Sequence, residues 1–276
     1  MAGTLYVVAT PIGNLEDITF RALRVLRDVA VVAAEDTRRS GLLLRHFGIT
    51  TRLISLHSHN EGLKVAGLVD RLKRGESVAV VSDAGTPAVS DPGSELVAAA
   101  VAAGIRVEPV PGASAVMAAI SAAGVSATQF AFLGFPPVRG KDRSAWFESL
   151  GRAVADGAVV FFEAPHRVRS LLEELNQRSY DQLTVFRELT KLHESIYRGN
   201  PAAILAQMTV VAGEFTVVIP QRVVSPDAAE RPTDEAIVAM IGQIPDLKGR
   251  AAARQIAVAT GLSANEVYEI VRKSKA

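Results

Sequence analysis

The sequence predicts an α/β protein with two α/β domains followed by a small helical module. Three observations predict it: short β-branched runs alternate with amphipathic segments, this pattern loosens near residue 126 and restarts, and only helical periodicity follows a proline-flanked linker. The predicted limits are residues 1–124 and 125–220 for the two α/β domains and 233–276 for the helical module.

The first predicted domain contains five short apolar runs, each bounded by turn residues or by an amphipathic segment. These predicted strands are Leu5–Ala9, Val29–Ala34, Leu53–Leu56, Val78–Val81 and Val107–Val110. The predicted helices between them are Thr19–Arg27, Arg39–Phe47, Lys64–Arg74 and Ser94–Ala103, and three of these are followed by a glycine at the usual left-handed C-cap position. Such alternation is typical of a mostly parallel sheet.

The second predicted domain has strands with more antiparallel pairing and one strong helix, His166–Asn176. Its predicted strands are Ala158–Phe162, Leu183–Arg187, Ser195–Arg198 and Phe215–Ile219. In the C-terminal module, a helix over Arg250–Thr260 precedes a capping box, Ser263–Glu266, at the start of the last helix. This outline fits a helix-turn-helix, but ordinary helical hairpins share it.

Composition excludes several classes of protein. The formal net charge is +1, so the chain lacks the overall positive field of a non-specific nucleic-acid coat protein. It has no cysteine, which excludes disulfides, thiolate metal sites and cysteine nucleophiles. The pair His57 and His59 has no third ligand at zinc spacing, so we expect no metal.

The location of the protein is inferred from two stretches of sequence. The N-terminus runs directly into an apolar strand with no basic segment or cleavage site of a secretory signal, so we expect a cytoplasmic protein. Pro109–Val138 carries no charged residue, but prolines and glycines interrupt it. We therefore expect a buried strand, loop and helix there rather than a membrane span.

Three loops of the first domain each follow a strand and contain residues that let the backbone approach a ligand. They are Thr10–Asn14, Ser82–Gly93 and Pro111–Ala115. Ligands of open α/β sheets bind at the carboxyl ends of strands, where such loops converge. The loops therefore predict a ligand pocket, with simple tight turns as the alternative for each one taken separately. No G-x-G-x-x-G follows the first strand, so the usual dinucleotide cradle is not expected.

Two clusters of charged residues also follow predicted strands. Glu35–Arg39 places acids and arginines near the same sheet edge, although Asp36 or Thr37 can equally serve as a helix cap. Arg187–Glu194 is a charge-dense break between two strands, in which a desolvated lysine can act as a base. A solvated loop is the alternative for the second cluster.

These loops together resemble a known family, the tetrapyrrole methylase-like, class III S-adenosylmethionine methyltransferases. The resemblance covers both α/β domains in order, and the helical tail is similar to that of the ribosomal RNA methyltransferases of this family. The matching segments are Leu5–Thr19, Ala34–Arg38, Val81–Gly93, Pro109–Ala115, Phe132–Phe135, Phe162–Arg167 and Arg187–Glu194.

The resemblance implies a homodimeric methyltransferase that holds folded S-adenosylmethionine in a cleft between its two α/β domains. The implied reaction is methylation of the ribose 2′-hydroxyl of a cytidine in 16S rRNA, so the implied partner is the small ribosomal subunit. Carried over motif by motif, the implied cofactor-binding residues are Pro11, Asp83, Ala84, Gly85, Thr86, Pro87, Ser114, Ala115, Ala164 and Ala212.

Transfer to a ribose hydroxyl benefits from a base or a hydrogen-bond acceptor near that hydroxyl. Lys191 is the first candidate if burial or nearby arginines lower its pKa, and Glu188 and Glu35 come next. The candidates for RNA contacts are Arg38, Arg139, Lys141, Arg143 and Arg167. Trp146 and Phe135 are candidates for base stacking, with buried packing as the alternative.

Two other functions compete with this interpretation. A porphyrin- or precorrin-type methyltransferase uses the same cofactor, but the helical tail and the charged cluster Arg187–Glu194 disfavour it. A non-catalytic RNA- or ribosome-binding protein is disfavoured by the three-loop pocket, because a pure RNA binder has no use for a convergent small-molecule site.

Overall fold

The computed structural model describes residues 2–57, 61–222, 233–242, 253, 256–257 and 262–274. The chain divides into two compact units, Met1–Gln221 and Arg222–Ala276, and the first unit contains two five-stranded sheets. The α/β domain limits predicted from the sequence therefore stay predictions. His59 lies outside the described residues.

The first sheet is entirely parallel, with strand order β3-β2-β4-β1-β5. Its strands are β1 (Leu5–Val8), β2 (Val31–Ala34), β3 (Leu53–Ser55), β4 (Val78–Val81) and β5 (Val107–Val110). All five strands were predicted. Every residue of β2 and β4 is buried, as expected for strands that helices cover on both faces.

The helices of this part also begin and end close to the predicted positions, because local capping groups mark their ends. They are α1 (Phe20–Asp28), α2 (Thr37–His46), α3 (Glu61–Lys73), α4 (Ser94–Ala102) and α5 (Ala115–Ala122). Thr19, Asp36 and Ser114 each accept a hydrogen bond from a first-turn amide of the following helix. The capping interpretation of Asp36 is thereby confirmed.

The second sheet is mixed, with strand order β6-β7-β10-β8-β9. Its strands are β6 (Phe130–Phe132), β7 (Ala158–Glu163), β8 (Leu183–Arg187), β9 (Ser195–Gly199) and β10 (Phe215–Ile219). Only β6 and β7 pair in parallel, which confirms the predicted antiparallel character. Strand β6 was missed, because its three residues at a sheet edge lie in a stretch that we assigned to a loop.

Three helices accompany the second sheet: α6 (Gly140–Asp156), α7 (Pro165–Gln177) and α8 (Pro201–Gln207). Sequence analysis found only α7. One face of the sheet forms a core with these helices, in which Phe161, Leu171 and Phe215 are almost completely buried.

Helix α5 joins the two sheets. It follows the last strand of the first sheet, yet it packs on the second sheet, where Val116, Ala119 and Ile120 contact Val160 and Phe186 in one buried cluster. The carboxyl ends of the first sheet's strands are thereby held next to the C-terminal end of β7 and the N-terminal end of β10. A cleft forms at this junction.

The C-terminal unit contains α9 (Asp234–Gly242) and α10 (Ala264–Ser274). The predicted capping box is confirmed: the Ser263 amide donates to Glu266 Oε2 at 2.9 Å, and the Glu266 amide donates to Ser263 Oγ at 3.2 Å. Most of the predicted helix Arg250–Thr260 and most of the linker lie outside the described residues. Within the described ranges, no helix combines the length and the apolar character that a membrane crossing requires.

Candidate active site

The three predicted ligand loops meet at the carboxyl edge of the first sheet. Thr10 and Gly85 exchange both backbone hydrogen bonds, each at 2.9 Å. The hydroxyl of Thr86 donates to the carbonyl of Ala113 at 3.4 Å, which ties the second loop to the third. The prediction that the loops converge is therefore confirmed. Gly85 has φ +78°, a conformation that glycine adopts without strain.

These loops form one wall of a cavity of about 430 Å³, which we call cavity A. The opposite wall comes from the second sheet, through Phe162–Pro165 at the end of β7 and Glu214–Thr216 at the start of β10. A volume of this size is typical of small-molecule sites.

A second cavity of about 500 Å³, cavity B, adjoins the first. Its wall combines the first loop, one side of α2 and the side chain of Lys191. The residues that line both cavities are Ile12, Arg39, Asp83, Ala84 and Glu214. Two compounds bound in A and B would therefore be neighbours at these shared residues.

Cavity A is lined by acidic residues. Its carboxylates are Glu35, Asp83, Asp91, Glu163 and Glu214, and among the described residues that line it Arg39 is the only cation. Arg39 is paired with Asp83 at 3.1 Å. No three His, Asp or Glu side chains of the described ranges are grouped so that they can share a metal ion.

The acidic residues interact with one another as well. The Asp83 amide donates to Glu35 Oε2 at 3.2 Å, and Asp83 Oδ1 accepts from the Asp36 amide at 3.0 Å. The pKa of Asp91 is raised to about 6, mainly by burial and next by the negative charge of Glu35. This concentration of negative charge favours a positively charged ligand.

Lys191 lies in cavity B within a compact loop that follows β8. Its ammonium group donates to Glu188 Oε1 at 2.8 Å and to Glu214 Oε2 at 3.1 Å. The loop lies so close to Gly13 that a Cβ there would overlap the Lys191 side chain. A Cβ at Gly213 would likewise overlap the Glu188 carboxyl.

The condition set for Lys191 as a base, a lowered pKa, is not met. Burial alone lowers it, but the hydrogen bonds to Glu188 and Glu214 outweigh burial and raise the pKa above that of an ordinary lysine. Lys191 is therefore a cation in this structure. Burial raises the pKa of Glu188, but its hydrogen bonds with Lys191 and the Glu214 amide lower it overall, so Glu188 is ionised.

The structure brings most of the predicted cofactor residues together. Those that line cavity A are Asp83, Ala84, Gly85, Thr86, Ser114, Ala115 and Ala164. Pro11 lines cavity B, whereas Pro87 and Ala212 are absent from both walls. The carbonyl of Ala212 instead accepts a hydrogen bond from Arg187 Nε at 2.6 Å.

Two of the predicted RNA-contacting arginines have internal partners. Arg143 pairs with Glu174 at 2.8 Å, and Arg167 pairs with Glu163 at 2.6 Å. Both also donate to carbonyls of the loop after β6, and their side chains are only 15% and 18% exposed. We therefore correct this prediction: these two arginines hold the loop in place.

The other predicted RNA-contacting residues are exposed. Arg38 is 89% exposed and pairs with Asp36, and Arg139 and Lys141 lie at the start of α6. Trp146 is buried and donates to the Leu133 carbonyl at 3.1 Å, so it packs rather than stacks on a base.

Sequence analysis did not identify several residues of cavity A as site residues. Phe135, considered only for base stacking, is 51% exposed and lines this cavity. Asp91, Glu163 and Glu214 were overlooked. The first two lie inside the matched motifs Val81–Gly93 and Phe162–Arg167, which was the available signal, whereas nothing in the sequence marked Glu214.

The lining of cavity A fits the cofactor that the resemblance implies. Its walls combine apolar side chains such as Ile12, Val116 and Phe162 with carboxylates that accept hydrogen bonds. S-adenosylmethionine carries a positive sulfonium, amino and hydroxyl donors and a flat apolar base. Apolar walls with a few acceptors and excess negative charge suit these features.

The family profile described as Tetrapyrrole (Corrin/Porphyrin) Methylases matches residues 4–204. The chain is 41% identical to the Ribosomal RNA small subunit methyltransferase I of Synechocystis sp., over 97% of each chain. It is 42% identical to the protein of the same name from Pseudomonas aeruginosa, over 97% of this chain and 96% of the relative.

Solved structures share the fold at lower identity. A diphthine synthase has a TM-score of 0.64 at 18% identity, over 79% of this chain and 90% of its own. A uroporphyrin-III-C-methyltransferase from Thermus thermophilus has a TM-score of 0.55 at 23% identity, over 79% of this chain and 94% of its own. With a family profile over residues 4–204 and relatives matched along almost its whole length, the chain belongs to the tetrapyrrole methylase family and is an S-adenosylmethionine-dependent methyltransferase.

Proposed function

We propose that this protein methylates the ribose 2′-hydroxyl of a cytidine in 16S rRNA of the small ribosomal subunit. The observation that carries the proposal is the similarity to proteins named Ribosomal RNA small subunit methyltransferase I, which continues beyond residue 204, where the family profile ends. We further propose that it acts in the cytoplasm as a homodimer.

In this proposal cavity A holds the cofactor and cavity B receives the nucleotide to be methylated. When bound, S-adenosylmethionine supplies an electrophilic methyl group on its sulfonium. Ile12 and Ala84 line both cavities, which supports binding of the two reactants side by side, and alignment of two bound reactants supplies much of the acceleration.

Lys191 acts as a cation in this mechanism. Because its pKa is raised, its ammonium group donates a hydrogen bond to the acceptor oxygen and stabilises the negative charge that develops there. The hydroxyl proton passes to a carboxylate, for which Glu188 and Glu35 are the proposed candidates. Glu188 lies 2.8 Å from the lysine and Glu35 lines cavity A.

Tritium transfer from labelled S-adenosylmethionine to 16S rRNA and to isolated small subunits tests the reaction, and nuclease digestion locates the labelled sugar. Lys191→Met should lower the rate about 100- to 1,000-fold. Lys73→Met, at an exposed position on α3, is the matched control and should leave the rate unchanged. Absence of label from rRNA, with cofactor binding intact, would overturn the RNA proposal and direct the next assay to tetrapyrroles.

The proposed RNA contacts of Arg38, Arg139 and Lys141 supply local positive charge that the net charge of +1 conceals. Each phosphate contact adds about one to the slope of log affinity against log salt concentration. Lys141→Gln should reduce that slope, whereas Arg143→Gln should leave it unchanged and lower stability, because Arg143 pairs with Glu174. Equal slopes for wild type and Lys141→Gln would remove Lys141 from the RNA-binding surface.

A further inference from the structure

Glu163, the last residue of β7, is a buried carboxylate that is only partly satisfied. It is 1% exposed and lines cavity A. Oε1 accepts hydrogen bonds from the Ala164 amide at 2.7 Å and from the Arg167 guanidinium at 2.6 Å. Oε2 is equally buried and has no hydrogen-bond partner. An unpaired oxygen on a buried carboxylate is costly, so a donor is missing.

The pKa of Glu163 is raised above its usual value, and burial is again the cause. Burial raises it, and the bonds with Ala164 and Arg167 offset burial only in part. One further donor to Oε2 would favour the ionised carboxylate. A compound bound in cavity A can supply this donor, since the cavity is bounded by this residue.

We propose that Glu163 Oε2 accepts a hydrogen bond from a donor on the nucleoside half of the cofactor, which makes Glu163 a cofactor-binding residue. The aromatic rings of Phe135 and Phe162 also line this cavity, 5.4 Å apart and tilted at 57°, and suit a flat base. An amino group or a ribose hydroxyl on that half is the donor. The proposal rests on the cofactor and is independent of the RNA acceptor.

Glu163→Gln replaces one carboxylate oxygen by an amide nitrogen of similar size. Ala164 and Arg167 present donors to the inner oxygen, so the glutamine carbonyl must take that place and its amide nitrogen must replace Oε2. The variant keeps an acceptor for both internal partners and turns the atom in the cavity from an acceptor into a donor. Glu173→Gln is the matched control, since Glu173 lies at an exposed position of α7 and is not part of the cavity wall.

Calorimetry on the full chain without RNA tests the proposal with S-adenosylmethionine, S-adenosylhomocysteine and 5′-methylthioadenosine, which lacks the amino-acid half. Glu163→Gln should weaken all three by about 10- to 100-fold, the range for a lost hydrogen bond to a charged group. Glu173→Gln should stay within about twofold of wild type. Unchanged affinity in Glu163→Gln, or a loss confined to the two ligands with an amino acid, would overturn the proposal.

A second measurement uses only the wild-type protein, so it does not depend on how well the variant folds. The 5′-methylthio derivatives of 2′-deoxyadenosine, 3′-deoxyadenosine and purine riboside each lack one donor of the nucleoside. One of them should bind at least about tenfold more weakly than 5′-methylthioadenosine. If all three bind as tightly, the proposed bond does not exist, while tight binding of S-adenosylmethionine would leave the proposed function intact.

Discussion

Removal of the Glu61 carboxylate should destabilise the loop that forms one wall of cavity A. Glu61 begins α3 and is 5% exposed. Its Oε1 accepts hydrogen bonds from the amides of Gly93 and Glu95 at 3.0 Å and of Leu96 at 3.2 Å. These amides lie at the start of α4, whose N-cap Gly93 has no side chain to serve as a cap. A residue from another helix therefore replaces the local cap.

Loss of an N-cap costs about 1–2 kcal/mol, and each buried donor left without a partner costs about 1–3 kcal/mol. Two of the three bonds are buried, and water partly compensates the third. At about 1–2 kcal/mol for each of the two buried amides, Glu61→Ala should therefore lower the free energy of unfolding by about 2–4 kcal/mol in total. In a unit of this size the melting temperature should fall by about 4–16 °C.

Urea and thermal unfolding, followed by circular dichroism, measure this loss. Glu61→Gln keeps an acceptor oxygen and should lose less than half as much stability. Glu148→Ala, at an exposed position of α6, controls for the loss of a surface carboxylate. A free energy of unfolding for Glu61→Ala within about 0.5 kcal/mol of wild type would refute the reasoning, since ordinary surface substitutions stay in that range.

Three further predictions concern the two cavities. Because the pKa of Asp91 is raised to about 6, its charge is present above pH 6 and lost below it. Cofactor affinity, measured by calorimetry, should therefore rise about fivefold between pH 5 and 7. Asp91→Asn should remove most of this pH dependence, and the same pH dependence in the variant would show that Asp91 is not its source. Because the pKa of Lys191 is raised, kcat should not increase between pH 7 and 9 through deprotonation of a lysine. An increase in this range that disappears in Lys191→Met would show that Lys191 is the base after all. Gly13→Ala should cost about 1–3 kcal/mol in chemical unfolding, because its Cβ would overlap the loop that carries Lys191. Gly67→Ala, where a Cβ meets nothing within 4 Å, should be neutral or stabilising, and equal effects of the two changes would argue against the close contact.

The strands and helices of the first sheet were predictable because short-range signals specify them. Val31–Ala34 and Val78–Val81 are continuous apolar runs, and such runs are typical of strands buried on both faces. Thr19 and Ser114 mark helix starts through bonds to residues only three positions away. The same locality explains the confirmed capping box in the C-terminal unit.

Elements with weaker local signals were missed. Strand β6 has three residues and lies in the stretch after residue 126 where the alternating pattern loosens, so nothing there established a period of two. The partners of Arg143 and Arg167 were also unpredictable. An arginine in a sequence looks the same whether it contacts RNA or holds a loop, and only the distances to Glu174 and Glu163 distinguish the two roles.

By itself, the sequence determined the strands and helices of the first sheet, four strands of the second, the three converging loops and the resemblance that indicated the cofactor. Only the tertiary structure decided the electrostatics of the site. The contacts of Asp83 with Glu35 and of Lys191 with Glu214 join residues 48 and 23 positions apart. A pKa depends on every charge and on the burial around a group, so the cationic state of Lys191 and the unpaired oxygen of Glu163 follow from the packing of distant segments.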